Sequence, residues 1–162
     1  MVQLRCLLPG ALVVLLAVAA SAEVVPFDHC GQYSPDKEPH CNVHEVRVTP
    51  CPEAARNLPC VLKRGTEPSI QFDFTTENPS NEVKSQAYWK TSTDEKPLIG
   101  MDRNACNNTP CPVVENQLHL YNNTISISRK FPPRGYHVKW VMWDDNDSNF
   151  ECCFIFRIKL VP

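Results

Sequence analysis

Two places in this 162-residue chain bring together side chains able to hold a metal or move a proton. The first is His40-Cys41-Asn42-Val43-His44. For both imidazoles to reach one zinc ion, the segment must be a helix presenting them on one face or a loop wrapped around the ion. The alternation that follows, Glu45, Val46, Arg47, Val48, belongs to a strand, and Cys41 has a disulfide to make. Solvated histidines and no metal are therefore expected here. The second is Asp144-Asp145, a carboxylate pair of the kind used in acid–base catalysis. It leads straight into Asn146-Asp147-Ser148, the composition of a solvated turn. There is no Gly-x-Ser-x-Gly elbow, no His-Glu-x-x-His and no phosphate loop. The expectation is a protein that is not an enzyme and uses no cofactor.

The sulfur chemistry is more informative. Of nine cysteines, Cys6 falls within residues 1–22, which leaves eight. Residues 1–22 read as a secretory leader, with Arg5 as the charged start, Leu7 to Ala20 as the apolar stretch and Ala20-Ser21-Ala22 as a small-residue cleavage site. The remainder, 23–162, is expected to form one domain in an oxidising compartment, with its even cysteine count engaged in bridges. The loops Cys51–Cys60 and Cys106–Cys111 are short enough to close locally. Cys152 and Cys153 are adjacent on a strand-like run, so their side chains point to opposite faces and need different partners. Cys153 shares the outward parity of Arg157 and Lys159 and is matched to Cys30. Cys152 is left for Cys41 by elimination alone.

Such staples act on the unfolded chain. A bridge from Cys30 to the last strand closes nearly the whole domain and contributes roughly 4–5 kcal/mol in the chain-entropy model. A domain held that firmly can keep its middle hollow. The formal charge is −2 and no basic run occurs, so nucleic acid is not an expected partner. Sequons at Asn107, Asn122 and Asn146 mark candidate glycosylation sites on a secreted surface.

The elements that must position these groups are strands. Val46 and Val48, Ile70, Phe72 and Phe74, Ile125 and Ile127, Val138, Trp140 and Met142, and Phe154, Phe156, Ile158 and Leu160 each alternate with residues on the other face. Period two means one buried and one outward face. Proline-rich segments such as Thr49-Pro50-Cys51-Pro52, Asn78-Pro79 and Phe131-Pro132-Pro133 separate the runs. With Val83–Lys90 added, the pattern predicts an all-β sandwich of six or seven short strands. From periodicity alone, the inward aromatic residues fill an ordinary core.

A longer ordered set of residues resembles a known family. Phe27-Asp28-His29-Cys30-Gly31 is followed by Val46-Arg47-Val48-Thr49-Pro50-Cys51-Pro52 and by Pro59-Cys60-Val61-Leu62-Lys63-Arg64-Gly65. Then come Cys106-x4-Cys111-Pro112, Tyr121, Phe131-Pro132, Val138-x-Trp140 with Asp144-Asp145, and a closing cysteine strand. Together these resemble the MD-2-related lipid-recognition domain. Within it they are similar to the Niemann-Pick C type 2, or epididymal secretory, proteins and to arthropod relatives that include the group 2 mite allergens.

The resemblance implies an immunoglobulin-like sandwich whose two antiparallel sheets, about seven strands in all, part to hold a lipid in an apolar cavity. Its lining pattern falls on Val48, Leu98, Ile127, Phe131, Pro132 and Trp140. The inward parity of Phe72, Phe74, Val138 and Phe156 adds these to the same interior. Leu98, Ile127 and Phe131 are expected near the mouth, with Phe72, Trp140 and Phe156 deeper. Leu98 stands where the sterol-carrying members have an aromatic, and Cys41 and Cys152 follow the arthropod rather than the mammalian pattern. The implied protein is a monomeric carrier or sensor of a sterol or fatty acid, with sterol transport first. It would be secreted or held in the endolysosomal lumen, with a membrane-protein acceptor or receptor. The alternatives are innate-immune or chemical-signal lipid recognition, and a protein-recognition module with a filled core.

Overall fold

Alternation of apolar and polar residues folds this chain into two facing sheets. The computed structural model describes residues 22–30, 40–91 and 93–162, so all but the last residue of the expected leader lies outside it. Among the described residues there are ten strands. They are β1 (Glu23–Val24), β2 (Phe27–His29), β3 (Cys41–Thr49), β4 (Cys60–Lys63), β5 (Ser69–Thr76), β6 (Val83–Lys90), β7 (Glu95–Pro97), β8 (His119–Thr124), β9 (Gly135–Asp144) and β10 (Glu151–Val161). Seven of them are longer than three residues, as the sandwich expectation requires. One sheet runs β1-β3-β5-β8 and the other β2-β10-β9-β6-β7. Pairing is antiparallel throughout except for β4, which lies parallel to β10 beyond the stretch that pairs with β2.

Two of the longer strands differ from the sequence expectation. The run Ile125–Ser128 is not a strand. Both isoleucines are buried, but the backbone N–H groups of Ile125 and Ile127 donate to the carbonyls of Pro68 and Thr66, so the segment lies against the β4–β5 connection. The strand at this edge is β8, which precedes it. There the inward residues are His119 and Tyr121, while Leu120 faces water, so hydropathy ran against the true pattern. In β3, Cys41 and Val43 share the interior with Val46 and Val48 despite opposite parity. A register shift between Val43 and Glu45 inserts one residue, and a bulge of this kind turns the strand over.

The staples lie where the fold needs closure. Cys41–Cys152 is buried and ties β3 of one sheet to β10 of the other, whereas Cys30–Cys153 fastens the chain after β2 to β10. Cys51–Cys60 encloses the short 3-10 helix Pro52–Arg56, and Cys106–Cys111 closes a loop that starts within the 3-10 turn Ala105–Asn107. On the outer face of the first sheet, Arg47 grips Asp73 through two bonds of 2.8 and 2.7 Å and also meets Glu45. The Asp73 hydrogen bond, helped by Glu45 and opposed by burial, keeps the Arg47 pKa above its ordinary value.

Candidate functional site

The inner faces of the sheets carry the residues that the sequence singled out. Val48, Phe72 and Phe74 come from the first sheet, and Val138, Trp140 and Phe156 from the second. Leu98 and Ile127 arrive from connections, and all eight are buried in one apolar cluster. Phe131 is half-buried against that cluster, and Pro132 is exposed on the rim with its carbonyl accepting from the Tyr136 hydroxyl at 2.9 Å. Leu98 and Ile127 sit deeper than a mouth position, at 3% and 2% exposure. The apolar interior therefore reaches the surface at Phe131.

In the middle of the sandwich the two sheets meet through aromatic rings. Phe72 of β5 lies 4.9 Å from Phe154 of β10 and 6.0 Å from Trp140 of β9, centroid to centroid, and stacks on Tyr121 at 4.7 Å. These are distances of rings in mutual contact. A ligand that reaches this layer has to part them.

A buried polar chain fixes the layer. The Trp140 Nε1–H donates to Ser85 Oγ at 3.0 Å, Ser85 Oγ lies 3.0 Å from the Tyr121 hydroxyl, and Asn123 Nδ2 donates to that hydroxyl at 3.1 Å. Burial raises the Tyr121 pKa and outweighs the opposing hydrogen bonds, so the phenol stays neutral. Beside this network, the His119 ring lies tilted against Phe74 at 5.5 Å, and its Nε2 lies within 3.1 Å of the Val114 backbone. Ser85 and Asn123 were not singled out from the sequence, because a serine and an asparagine within strands carry no periodic signal of their own.

At the open end a second aromatic group surrounds Phe131. Trp89 lies 5.1 Å from Phe131 and 4.8 Å from Tyr136, and the Arg134 guanidinium sits 5.0 Å above the Tyr136 ring. Arg64 Nη1 donates to the carbonyls of Arg129 and Phe131 at 3.0 and 3.1 Å and so ties the Phe131 segment to the end of β4. The turn that carries Arg64 depends on Gly65, whose φ is +80° and where a Cβ would lie 2.6 Å from Arg129 Nε. Trp89 and Tyr136 were also missed, although parity pointed to them. Trp89 follows Ser85 and Ala87 by steps of two, and Tyr136 precedes Val138 and Trp140 in the same way.

The cross-sheet bridge lies at the other end. Cys41 pairs with Thr76 at the far end of β5, whereas Val48 pairs with Ile70, close to the Thr66 and Ile127 connection. Six strand residues lie between Cys41 and Val48, which puts the two roughly 20 Å apart. The Cys41–Cys152 bridge thus joins the two sheets directly at one end, whereas the Phe131 end is held by backbone bonds between the Thr66 and Ile127 segments and by the local Cys51–Cys60 bridge.

The remaining candidates are dispersed. His40 Nδ1 lies 3.4 Å from Glu77 and His44 Nε2 2.9 Å from Thr75 Oγ1, both exposed. Asp144 accepts from the Ser80 hydroxyl at 2.6 Å and from the Asn146 amide at 2.7 Å, and these bonds hold its carboxyl below the usual range. Asp145 accepts from Trp143 Nε1 at 2.7 Å. The two carboxylates thus serve a strand end and its turn. Asn107, Asn122 and Asn146 are all exposed. An open groove of about 540 Å³ lies on the outward side of the second sheet, between Tyr88, Trp143 and the acids Glu95, Asp147 and Glu151. Its mixed lining, which adds Lys139 and Val141 to these residues, and its outer position separate it from the apolar interior.

Comparison with known proteins agrees with this architecture. A family model described as the ML domain matches residues 24–160. An MD-2-related lipid-recognition protein of Manduca sexta is 30% identical over 149 residues, covering 92% of this chain and 93% of the relative. The NPC intracellular cholesterol transporter 2 of Bos taurus is 27% identical over 150 residues, covering 92% and 94%. Among solved structures, a Niemann-Pick type C2 protein from Japanese carpenter ant superposes with a TM-score of 0.70. It shares 15% identity over 84% of this chain and 99% of the ant protein, a likeness of fold.

Proposed function

Because this chain belongs to the ML-domain family, whose members bind lipids, we propose that it is a secreted carrier that takes one sterol, fatty acid or similar molecule between its sheets. The observation that supports this reading is the single apolar cluster that spans the interior and reaches the surface at Phe131. Binding works by desolvation. Enclosing about 400 Å² of apolar ligand surface at roughly 25 cal/mol/Å² gives about 10 kcal/mol gross. Part of that is lost to association and to parting the aromatic rings. Micromolar affinity needs only about 8 kcal/mol net.

Sterol transport between a membrane and an acceptor protein is the first form of the proposal, supported by the likeness to the bovine cholesterol transporter. Lipid recognition in immunity or chemical signalling is its alternative. A different reading, a protein-recognition module with a filled core, is favoured by the ring contacts between Phe72, Trp140 and Phe154. The two readings part at Phe131. A carboxylate introduced there as Phe131→Glu stands at the rim, where the half-exposed backbone position lets it remain hydrated. Ligand admitted past it must then desolvate the charge or draw water inward. Uptake of a fluorescent sterol and a fluorescent fatty acid should fall about tenfold or more, a change of about 1.4 kcal/mol, while thermal melting shows a folded protein. Unchanged uptake by a folded variant would remove Phe131 from the ligand's path.

A further inference from the structure

Within the lipid-carrier reading, the chemistry at the Phe131 mouth selects a ligand class, and it favours the fatty-acid form of that reading over the sterol form suggested by the likeness to the bovine transporter. Among the described residues, three buried side-chain nitrogen or oxygen atoms find no hydrogen-bond partner in the protein: Arg64 Nε, Trp89 Nε1 and Thr109 Oγ1. Two of these belong to side chains that touch Phe131, Arg64 through the Phe131 carbonyl and Trp89 through its ring. Both are donors with no capacity to accept. A buried donor left unpaired carries a desolvation penalty that a well-placed acceptor removes.

The charge around them has one sign. The segments 64–67 and 128–134 that frame the mouth contain Arg64, Arg129, Lys130 and Arg134 against a single acid, Glu67. None of the four cations makes a salt bridge among the described residues, and Arg64 and Arg134 are engaged instead with backbone carbonyls and with the Tyr136 ring. Glu95, on the neighbouring strand β7, is taken up by Lys90 and Lys139. The mouth thus offers positive charge and unpaired N–H groups beside an apolar interior, and the one carboxylate of its segments, Glu67, enters no salt bridge with them among the described residues.

We propose that the preferred ligand is a single-chain fatty acid. Its carboxylate is held at the mouth by Trp89 Nε1–H and the Arg64 guanidinium, and its tail runs inward past Phe131. A carboxylate accepts hydrogen bonds only, and charge-assisted bonds to it are roughly twice as strong as neutral ones. A sterol hydroxyl is neutral, gains nothing from the cations, and brings an O–H that needs an acceptor. The interior points the same way, since rings at centroid separations of 4.9 and 6.0 Å are parted more easily by one methylene chain than by a fused ring system.

The test is displacement of a neutral fluorescent probe, N-phenyl-1-naphthylamine, from the full secreted protein at pH 8 by oleic acid, methyl oleate and cholesterol. The acid is expected to bind about tenfold tighter than its methyl ester, the scale of one charge-assisted contact. In W89F and R64Q the ratio of ester to acid dissociation constants should shrink to about threefold or less. A ratio is independent of the fraction of protein that folds, so a destabilised variant remains informative. Equal binding of acid and ester by the wild type, or an unchanged ratio in both variants, overturns the assignment and leaves lipid binding standing. Failure of all three lipids to displace a bound probe would instead strike at the carrier reading itself.

Discussion

Deleting the two long-range disulfides one at a time and together should expose a coupling between them. Cys30–Cys153 closes a span of 123 residues and Cys41–Cys152 one of 111. Either bridge alone therefore gives about 5 kcal/mol in the chain-entropy model. They are not independent, because their ends are neighbours. Once Cys30–Cys153 is formed, the circuit closed by Cys41–Cys152 is 41 − 30 = 11 residues on one side and 153 − 152 = 1 on the other, 12 in all. A loop of that size gives roughly 3 kcal/mol. Loss of one bridge should thus cost about 3 kcal/mol and loss of both about 8, some 2 more than the two single losses combined.

Cys41 and Cys152 are the more buried pair, so C41A/C152A should lose about 1 kcal/mol further to packing. Urea denaturation of C30A/C153A, C41A/C152A and the quadruple variant, followed by intrinsic fluorescence, measures all three costs. A loss of about 8 kcal/mol is comparable with the whole stability of a typical domain, so the quadruple variant should be largely unfolded. The single-bridge variants then decide alone. A cost near 5 kcal/mol for each would show that the bridges constrain the unfolded chain separately, and the shared-circuit reasoning would be wrong.

Three further outcomes are expected. Gly65→Ala forces an L-residue into positive φ, costing about 1–2 kcal/mol, and drives its Cβ into Arg129; a melting scan should fall while probe uptake at the adjoining mouth drops with it. Ser85→Ala removes the acceptor of Trp140 Nε1–H and the partner of Tyr121, leaving buried donors at a cost of about 1–3 kcal/mol, to be read by urea denaturation. Glu95 has its pKa lowered from 4.5 by hydrogen bonds from Lys90 and then Lys139. A depressed folded pKa means stabilisation that is complete above the unfolded value and disappears as pH falls through the folded one. The melting temperature should therefore decline below about pH 4.5, as carboxylates protonate, and E95Q should flatten part of that decline; an identical acid limb in both proteins would contradict it.

How much of this was legible in the sequence depended on whether side-chain type and parity agreed. Where they did, as in Phe72 and Phe74 or Phe154 to Leu160, alternation located the strand, its inner face and its place in the core. In β8 the inward residues are His119 and Tyr121 while Leu120 is outward, so composition pointed to the following Ile125–Ser128 segment instead. The four residues of β4 are too few to show a period, and their pairing with β10 is a long-range contact that no local pattern encodes. Three of the cysteine pairings followed from strand parity and short loops, whereas Cys41–Cys152 came by elimination alone. The mouth was only half visible. Phe131 and Pro132 came with the family resemblance, whereas the positive charge around them comes from segments more than sixty residues apart in sequence, 64–67 and 128–134, that the fold brings together.

Native mass spectrometry of the protein secreted from animal cells, without delipidation, tests the central claim most directly. After enzymatic removal of any N-glycans, the carrier reading predicts a monomer with four intact disulfides and a non-covalent adduct of a few hundred daltons. The adduct should be lost on denaturation and recovered in solvent extracts as a single lipid. A protein that stays free of adduct, and that takes up neither fatty acid nor sterol when both are supplied, would contradict the account and leave the sandwich with a filled core.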